Sequence, residues 1–134
     1  MAGQSFVEQR EERRMLAPDD VVRDFAAGAP DREAVAWIGA VTWSMSDDGG
    51  AYRVLVTAAD GTAFGFAARR DSPALALCDV ADRFQDFVAD NLRVGLPPVP
   101  GTARPAVPAV VGGEACWTDA KTGWRCPIGA YAAP

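Results

Sequence analysis

The sequence predicts an α+β fold in which a three-stranded antiparallel meander packs against one long helix. Apolar and polar residues alternate in three short runs separated by turn signals, which is typical of strands that bury one face. The stretch after these runs places apolar residues three and four positions apart, which is typical of an amphipathic helix. Because neither a small sheet nor a single helix is stable alone, we expect the two to pack together.

The first predicted strand covers 34–45, with a bend or bulge at Gly39. Its large residues alternate as Val35, Trp37, Gly39, Val41, Trp43 and Met45. The second and third strands are expected at 52–58 and 64–68, joined by a hairpin turn at Asp60-Gly61. Since one helix covers one face of this sheet, the other face needs the N-terminal helices, the tail or another molecule.

The long helix is predicted to begin after Ser72, which suits the N-cap position, and to end before Gly95. Its polar side carries a row of carboxylates at spacings of three and four: Asp79, Asp82, Asp86 and Asp90. Such a row is compatible with a divalent cation but lacks the carbonyl ligands of a calcium loop, so we expect a solvated face.

Residues 1–32 are predicted to form a helical arm, with helices at 4–16 and 18–27. The first of these is unusual because its acidic and basic side chains fall on opposite flanks. The two flanks are Glu8, Glu11 and Glu12 on one side and Arg10, Arg13 and Arg14 on the other. This pattern is compatible with a solvated arm, with an arm that bridges two oppositely charged partners, and with stacking on its own copies.

The predicted core domain is 33–95, and residues 96–134 form a proline-rich tail that ends in a β-hairpin. Prolines within 97–108 favour extended chain. A turn at Gly112-Gly113 joins the hairpin strands, and a second turn at 119–123 separates Trp117 from Trp124.

The register at this second turn determines whether Cys116 and Cys126 can bond. A turn centred on Lys121 places the two sulfurs opposite each other, whereas pairing of Asp119 with Trp124 sends them to opposite faces. Turn chemistry favours the second register, because Asp suits the first position of a type I turn and Gly a left-handed one.

The run from Gly95 to Pro105, followed by Trp117 and by Pro127-Ile128-Gly129, resembles the tail of small actinobacterial and actinophage proteins. In that family the tail has the pattern PPCPGHxHP, then a tryptophan and a Cys-Pro pair, which implies a zinc knuckle. This chain departs from the pattern at the ligand positions: Val99 replaces the first cysteine, Thr102 and Arg104 the histidines, and Asp119 lies near the later cysteine. The resemblance therefore implies a knuckle frame that has lost its metal.

Composition excludes several kinds of active site. The chain contains no histidine, which removes the commonest general base and metal ligand, and its three cysteines form an odd set. Phosphate-cradling glycine loops are missing from the sequence, and a net charge of −5 disfavours direct binding to nucleic acid or to an anionic membrane. We expect a cytoplasmic or virion-borne protein that is not an enzyme and needs no cofactor or metal.

The sequence thus favours a noncatalytic protein-binding or assembly component, encoded by a phage or another mobile element, that contacts a protein partner or its own copies. The arm's charged residues and the two tail tryptophans, Trp117 and Trp124, are the candidate contacts. The alternative is a regulator that inhibits a nucleic-acid-binding protein through the acidic row of the long helix.

Overall fold

The computed structural model describes residues 13–132. Within this range residues 13–16 are helical, and the chain then forms helices α1 (Pro18–Gly28), α2 (Arg32–Gly39) and α3 (Pro73–Leu92). The strands are β1 (Thr42–Asp47), β2 (Tyr52–Thr57), β3 (Ala63–Ala68), β4 (Val107–Val111), β5 (Glu114–Thr118) and β6 (Arg125–Pro127). They form two antiparallel sheets in the described range, ordered β1-β2-β3 and β4-β5-β6. The predicted α+β class is confirmed.

The predicted first strand is wrong over its first half. Residues 32–39 form α2, and β1 begins only at Thr42. The cause is an N-cap: the carboxylate of Asp31 accepts a hydrogen bond of 2.9 Å from the backbone N–H of Ala34. Ala34 and Ile38, one helical turn apart, are the buried residues of α2, so the apparent alternation was a coincidence of spacing.

The first sheet buries one face. In β2, Tyr52, Val54 and Val56 are buried, whereas the residues between them point outward. The hairpin to β3 lies where Asp60-Gly61 predicted it, and Gly61 adopts a positive φ of 90° that favours glycine.

Helix α3 is the centre of the molecule. The Ser72 hydroxyl caps it by accepting from the N–H of Leu75 at 3.1 Å, as the sequence predicted. The helix contacts β3 of the first sheet, β4 and β5 of the second, and α1. Its Phe84 ring packs on Phe25 of α1 and on Trp43 of β1, with centroids 4.7 and 4.9 Å away.

One hydrophobic cluster joins the three predicted segments. It includes Leu16 and Phe25 from the arm region, Val56 and Phe84 from the centre, and Trp117 from the tail. Arm and tail therefore share the core of the meander and its helix within residues 13–132. Among the described residues, no helix combines the length and the apolar character needed to cross a bilayer.

Candidate interaction surface

The outward side of the first sheet, called here the outer face, is the candidate functional site. It comprises Thr42, Ser44, Ser46, Arg53, Leu55, Thr57, Ala63, Gly65 and Ala67. A shallow groove of about 320 Å³ lies on it, lined in part by Ser44, Arg53, Leu55 and Gly65. Leu55 is 46% exposed, although it lies on the central strand, so this face presents apolar surface to solvent.

Small side chains keep the outer face flat. Gly65 lies beside Leu55 in the ladder, and a Cβ at Gly65 would be 3.8 Å from a methyl of that leucine. Since Ala63 and Ala67 flank Gly65 on the same face, little bulk hinders the approach of another backbone along β3.

Ion pairs fix the loop end of the first sheet. Arg53 donates to Asp48 at 2.8 Å and Arg70 to Asp47 at 2.8 Å, while the Arg70 guanidinium lies 5.5 Å from the centre of the Tyr52 ring. The Arg53 hydrogen bond, with backbone N–H groups of the turn, lowers the pKa of Asp48 to about 2. These carboxylates are engaged in holding the turn at 47–51.

The second sheet has no comparable open face on its central strand. Three successive residues of β5, Ala115, Cys116 and Trp117, are buried, so both sides of the strand are covered. This difference distinguishes it from β2.

A buried carboxylate organises the junction between α1 and the C-terminal segment. Asp24 is fully buried and accepts from Trp117 Nε1 at 2.8 Å, from the N–H of Gly129 at 2.6 Å and from that of Tyr131 at 3.3 Å. Arg23 donates to the same carboxylate and to the carbonyl of Gly129, both at 2.8 Å. Every strong bond of Asp24 is thus made to a group of the fold, which is the arrangement of a structural carboxylate.

The hairpin register matches the one that turn chemistry favoured. The N–H of Asp119 donates to the carbonyl of Trp124 at 2.9 Å, and Trp117 pairs with Cys126. Cys116 and Cys126 therefore lie on opposite faces and are free thiols, as is Cys78.

The environments of the thiols oppose ionisation. Burial, with a smaller effect of Asp24, raises the pKa of Cys126 to about 11. Burial also raises the pKa of Cys78 and of Cys116. Because the thiolate is the reactive form, none of these three groups is activated as a nucleophile.

The positions that correspond to the knuckle ligands of the resembling family come together without metal ligands. Arg104 donates to Asp119 at 2.7 Å, and Thr102 donates its hydroxyl proton to the carbonyl of Val99 at 2.9 Å. The Arg104 hydrogen bond, followed by that of Thr122, lowers the pKa of Asp119 to about 2. An ion pair thus links the two loops here, and the described residues contain no cluster of three His, Cys, Asp or Glu side chains able to hold a metal.

The other candidate residues from the sequence are dispersed. Glu8, Arg10, Glu11 and Glu12 lie outside the described residues. Arg13 forms an ion pair of 2.7 Å with Asp19 on α1, and Arg14 is exposed. Trp117 has no exposed surface, whereas Trp124 is half-buried with its ring edge-on to Tyr131 at 6.3 Å. A partner that binds the folded protein has no access to Trp117.

One carboxylate of the acidic row, that of Asp79, is bound by the residue that follows β3. Asp79 accepts from the side chain and the backbone N–H of Arg69 at 2.8 Å, while Asp82, Asp86 and Asp90 stay exposed. Burial and the nearby charge of Asp86 raise the pKa of Asp82. A second groove of about 270 Å³ lies between α2 and the end of α3, against Trp37, Leu92 and Val94.

Comparisons of the chain with protein-family models, with curated proteins and with solved structures find no match.

Neither the outer face nor Asp24 was predicted from the sequence. A signal for Asp24 was present, since it lies three residues after Val21 and beside Phe25, on the apolar stripe of α1. A charged residue on such a stripe indicates a buried polar contact. Leu55 gave a weaker signal as a large aliphatic residue on the polar side of a strand.

Proposed function

We propose that this protein acts by surface contact, as a noncatalytic protein-binding or assembly component, and that its outer face receives the partner. The observation that carries the proposal is the contrast between the sheets: β5 is buried on both sides, whereas β2 presents Leu55 to solvent beside a groove. A large apolar side chain exposed beside a groove with polar residues at its rim is compatible with a protein interface.

The state of the ionisable groups supports a noncatalytic role. The three thiols are held in the protonated form, and the buried carboxylates, Asp24 and Asp119, are engaged by donors of the fold. A catalytic acid, base or nucleophile needs a group directed at substrate and poised to change its charge. The proposal includes an accessory or structural role in a phage or another mobile element, on the strength of the tail resemblance alone.

Crosslinking in the cells or particles that contain the protein, followed by mass spectrometry and by binding measurements with the purified partner, tests this role. Leu55→Asp places a charge on the outer face, and Val107→Asp makes the same kind of change at a 56% exposed valine of β4. We expect Leu55→Asp to weaken binding at least about tenfold and Val107→Asp to leave it unchanged. Equal binding by both variants, or no protein ligand for the wild-type chain, its own copies included, contradicts the proposal.

The alternative of an inhibitor acting through α3 retains a specific basis, because three carboxylates of the row remain exposed. Changing Asp82, Asp86 and Asp90 to Asn removes their charge with little change in shape. If the alternative holds, this triple variant stays folded and loses its partner, whereas Leu55→Asp retains it.

A further inference from the structure

The edge of the first sheet at β3 has the geometry of a strand-pairing site. In the β2–β3 hairpin, the N–H of Ala58 donates to the carbonyl of Thr62 at 2.8 Å. Since bonded and non-bonded pairs alternate along an antiparallel ladder, Phe64 and Phe66 direct their backbone groups toward β2. The N–H and C=O groups of Ala63, Gly65 and Ala67 therefore point away from the sheet.

The features that normally protect an edge strand are missing from β3. Proline, lysine and other charged residues are absent from 63–68, and its outward side chains are those of alanine and glycine. The edge strand β4 of the second sheet differs, because Pro108 there lacks an N–H to offer. Of these two edges, only the edge at β3 is a suitable template for another strand.

The sequence of β3 is a palindrome. Residues 63–67 are Ala-Phe-Gly-Phe-Ala, identical in both directions, and the central Gly65 belongs to the outward-pointing set. An antiparallel partner related by a two-fold axis at Gly65 therefore meets β3 in phase, with Gly65 opposite Gly65 and Ala63 opposite Ala67. This pairing forms about six backbone hydrogen bonds. It also places the half-buried Phe64 beside Phe66 of the other copy, a favourable cross-strand aromatic pair.

We propose that the occupant of this edge is a second copy of the chain, paired through β3 into a continuous six-stranded sheet. An isologous interface requires a self-complementary surface, and the palindrome supplies one. Arg53 lies beside Ala67, and in the proposed dimer the next residues across the sheet are Ala63 and Thr57 of the other copy. Arg53 therefore has no positive charge of the other copy beside it.

This inference rests on the proposed function and adds a second copy of the chain at the β3 edge of the outer face. Pairing at β3 joins the outer faces of two copies across the two-fold axis, with Leu55 on each side of the Gly65 pair. The dimer therefore presents an outer face of twice the width.

Sedimentation velocity of the full chain over a range of concentrations tests the dimer and its register. The variants Ala63→Lys/Ala67→Lys and Ala63→Glu/Ala67→Lys differ only at the exposed position 63. In the proposed register the first opposes two pairs of like charges and the second makes two attractive pairs. We expect the first to weaken dimerisation by about tenfold or more and the second to keep it near the wild-type value.

A second comparison guards against loss of folding. Gly65→Lys places two ammonium groups at the two-fold axis, and the exposed Ser44→Lys adds the same charge to the far edge of the same face. Circular dichroism and urea unfolding identify the folded variants. Dimers that resist Gly65→Lys, or that respond equally to Ser44→Lys, overturn the inference.

The experiments separate this inference from the proposed function. A wild-type chain that stays monomeric, yet binds another protein and loses it on Leu55→Asp, overturns the β3 dimer and leaves the proposed function intact. A chain that neither self-associates nor depends on Leu55 for any partner overturns both.

Discussion

The two sheets of this protein have the same number of strands and opposite surroundings. Both are antiparallel and both contact α3, yet β5 is buried on its two sides while β2 is buried on one. Both central strands contain three successive apolar residues, Ala115, Cys116 and Trp117 in β5 and Val54, Leu55 and Val56 in β2, but only in β5 are all three buried. The central strand of the second sheet is therefore covered on both sides, whereas that of the first sheet keeps one side exposed.

The second sheet also depends on buried polar bonds, while the first depends on apolar packing and surface ion pairs. Asp24 connects α1 with β5 and with the segment after β6, so its bonds cross large sequence separations. The first sheet is joined by short turns and by the exposed pair Arg53–Asp48. Substitutions should consequently act differently in the two regions.

Asp24→Ala is expected to have the largest effect, destabilising the protein by about 3–5 kcal/mol. The change leaves the Trp117 indole N–H and two backbone N–H groups without their acceptor, whereas Arg23 keeps the carbonyl of Gly129. Urea denaturation followed by tryptophan fluorescence measures it. Asp19→Ala, which removes an exposed ion pair on the same helix, should cost about 1 kcal/mol or less. Equal losses would refute the central position given to Asp24.

Val56→Ala and Leu55→Ala compare the two sides of one strand. Val56 is fully buried, so its truncation should cost about 2–3 kcal/mol, whereas loss of the Leu55 side chain should cost below about 1 kcal/mol. Thermal and urea unfolding of a dilute sample, where association is minimal, give both values. A large loss at Leu55 under those conditions would mean that the outer face is needed for folding.

Gly129→Ala and Gly101→Ala separate crowding from backbone strain in the tail. Both glycines have positive φ, 104° and 78°, but a Cβ at Gly129 would lie 3.2 Å from Asp20, whereas Gly101 faces open space. We expect a loss of about 2 kcal/mol at Gly129 and about 1 kcal/mol at Gly101. Similar values from chemical denaturation would show that the contact with α1 is relieved by a small shift.

The Asp119 carboxylate should make stability fall in acid. Its pKa in the folded protein is about 2, mainly because of Arg104, and lies below the ordinary value for an aspartate. Its contribution is therefore present above about pH 4 and is lost as the pH falls toward 2. Urea unfolding at a series of pH values should show a shallower acid loss in Asp119→Asn. Asp48→Asn should change less because Asp48 is exposed; the reverse order would contradict the assignment.

The sequence predicted most of the fold because its local signals were strong. Ser72 before Pro73 marked the start of α3, Asp60-Gly61 marked the β2–β3 turn, and Gly112-Gly113 marked the β4–β5 turn. The error at 34–39 arose because this stretch contains two sets of apolar residues. Val35 and Trp37 are two positions apart, as in a strand, whereas Ala34 and Ile38 are four positions apart, as in a helix. The side chain of Asp31 caps the helix and favours it over a strand.

The candidate site was less predictable because it is defined by tertiary packing. Trp117 was a reasonable surface candidate in a tail, but its Nε1 finds a buried partner 93 positions earlier in the chain, in Asp24. Conversely, the exposure of Leu55 depends on which side of the sheet α3 covers. The edge at β3 required the ladder register, because the palindrome alone does not say which backbone groups point outward.

The Gln85 side chain of α3 has a consequence for labelling and engineering. Its amide donates to the carbonyl of Leu96 at 3.0 Å and to that of Ala106 at 2.6 Å, so one residue secures both ends of the intervening loop. The tip of that loop at Gly101 is exposed. A fluorophore or a short guest peptide at this tip would therefore be carried on a fixed base.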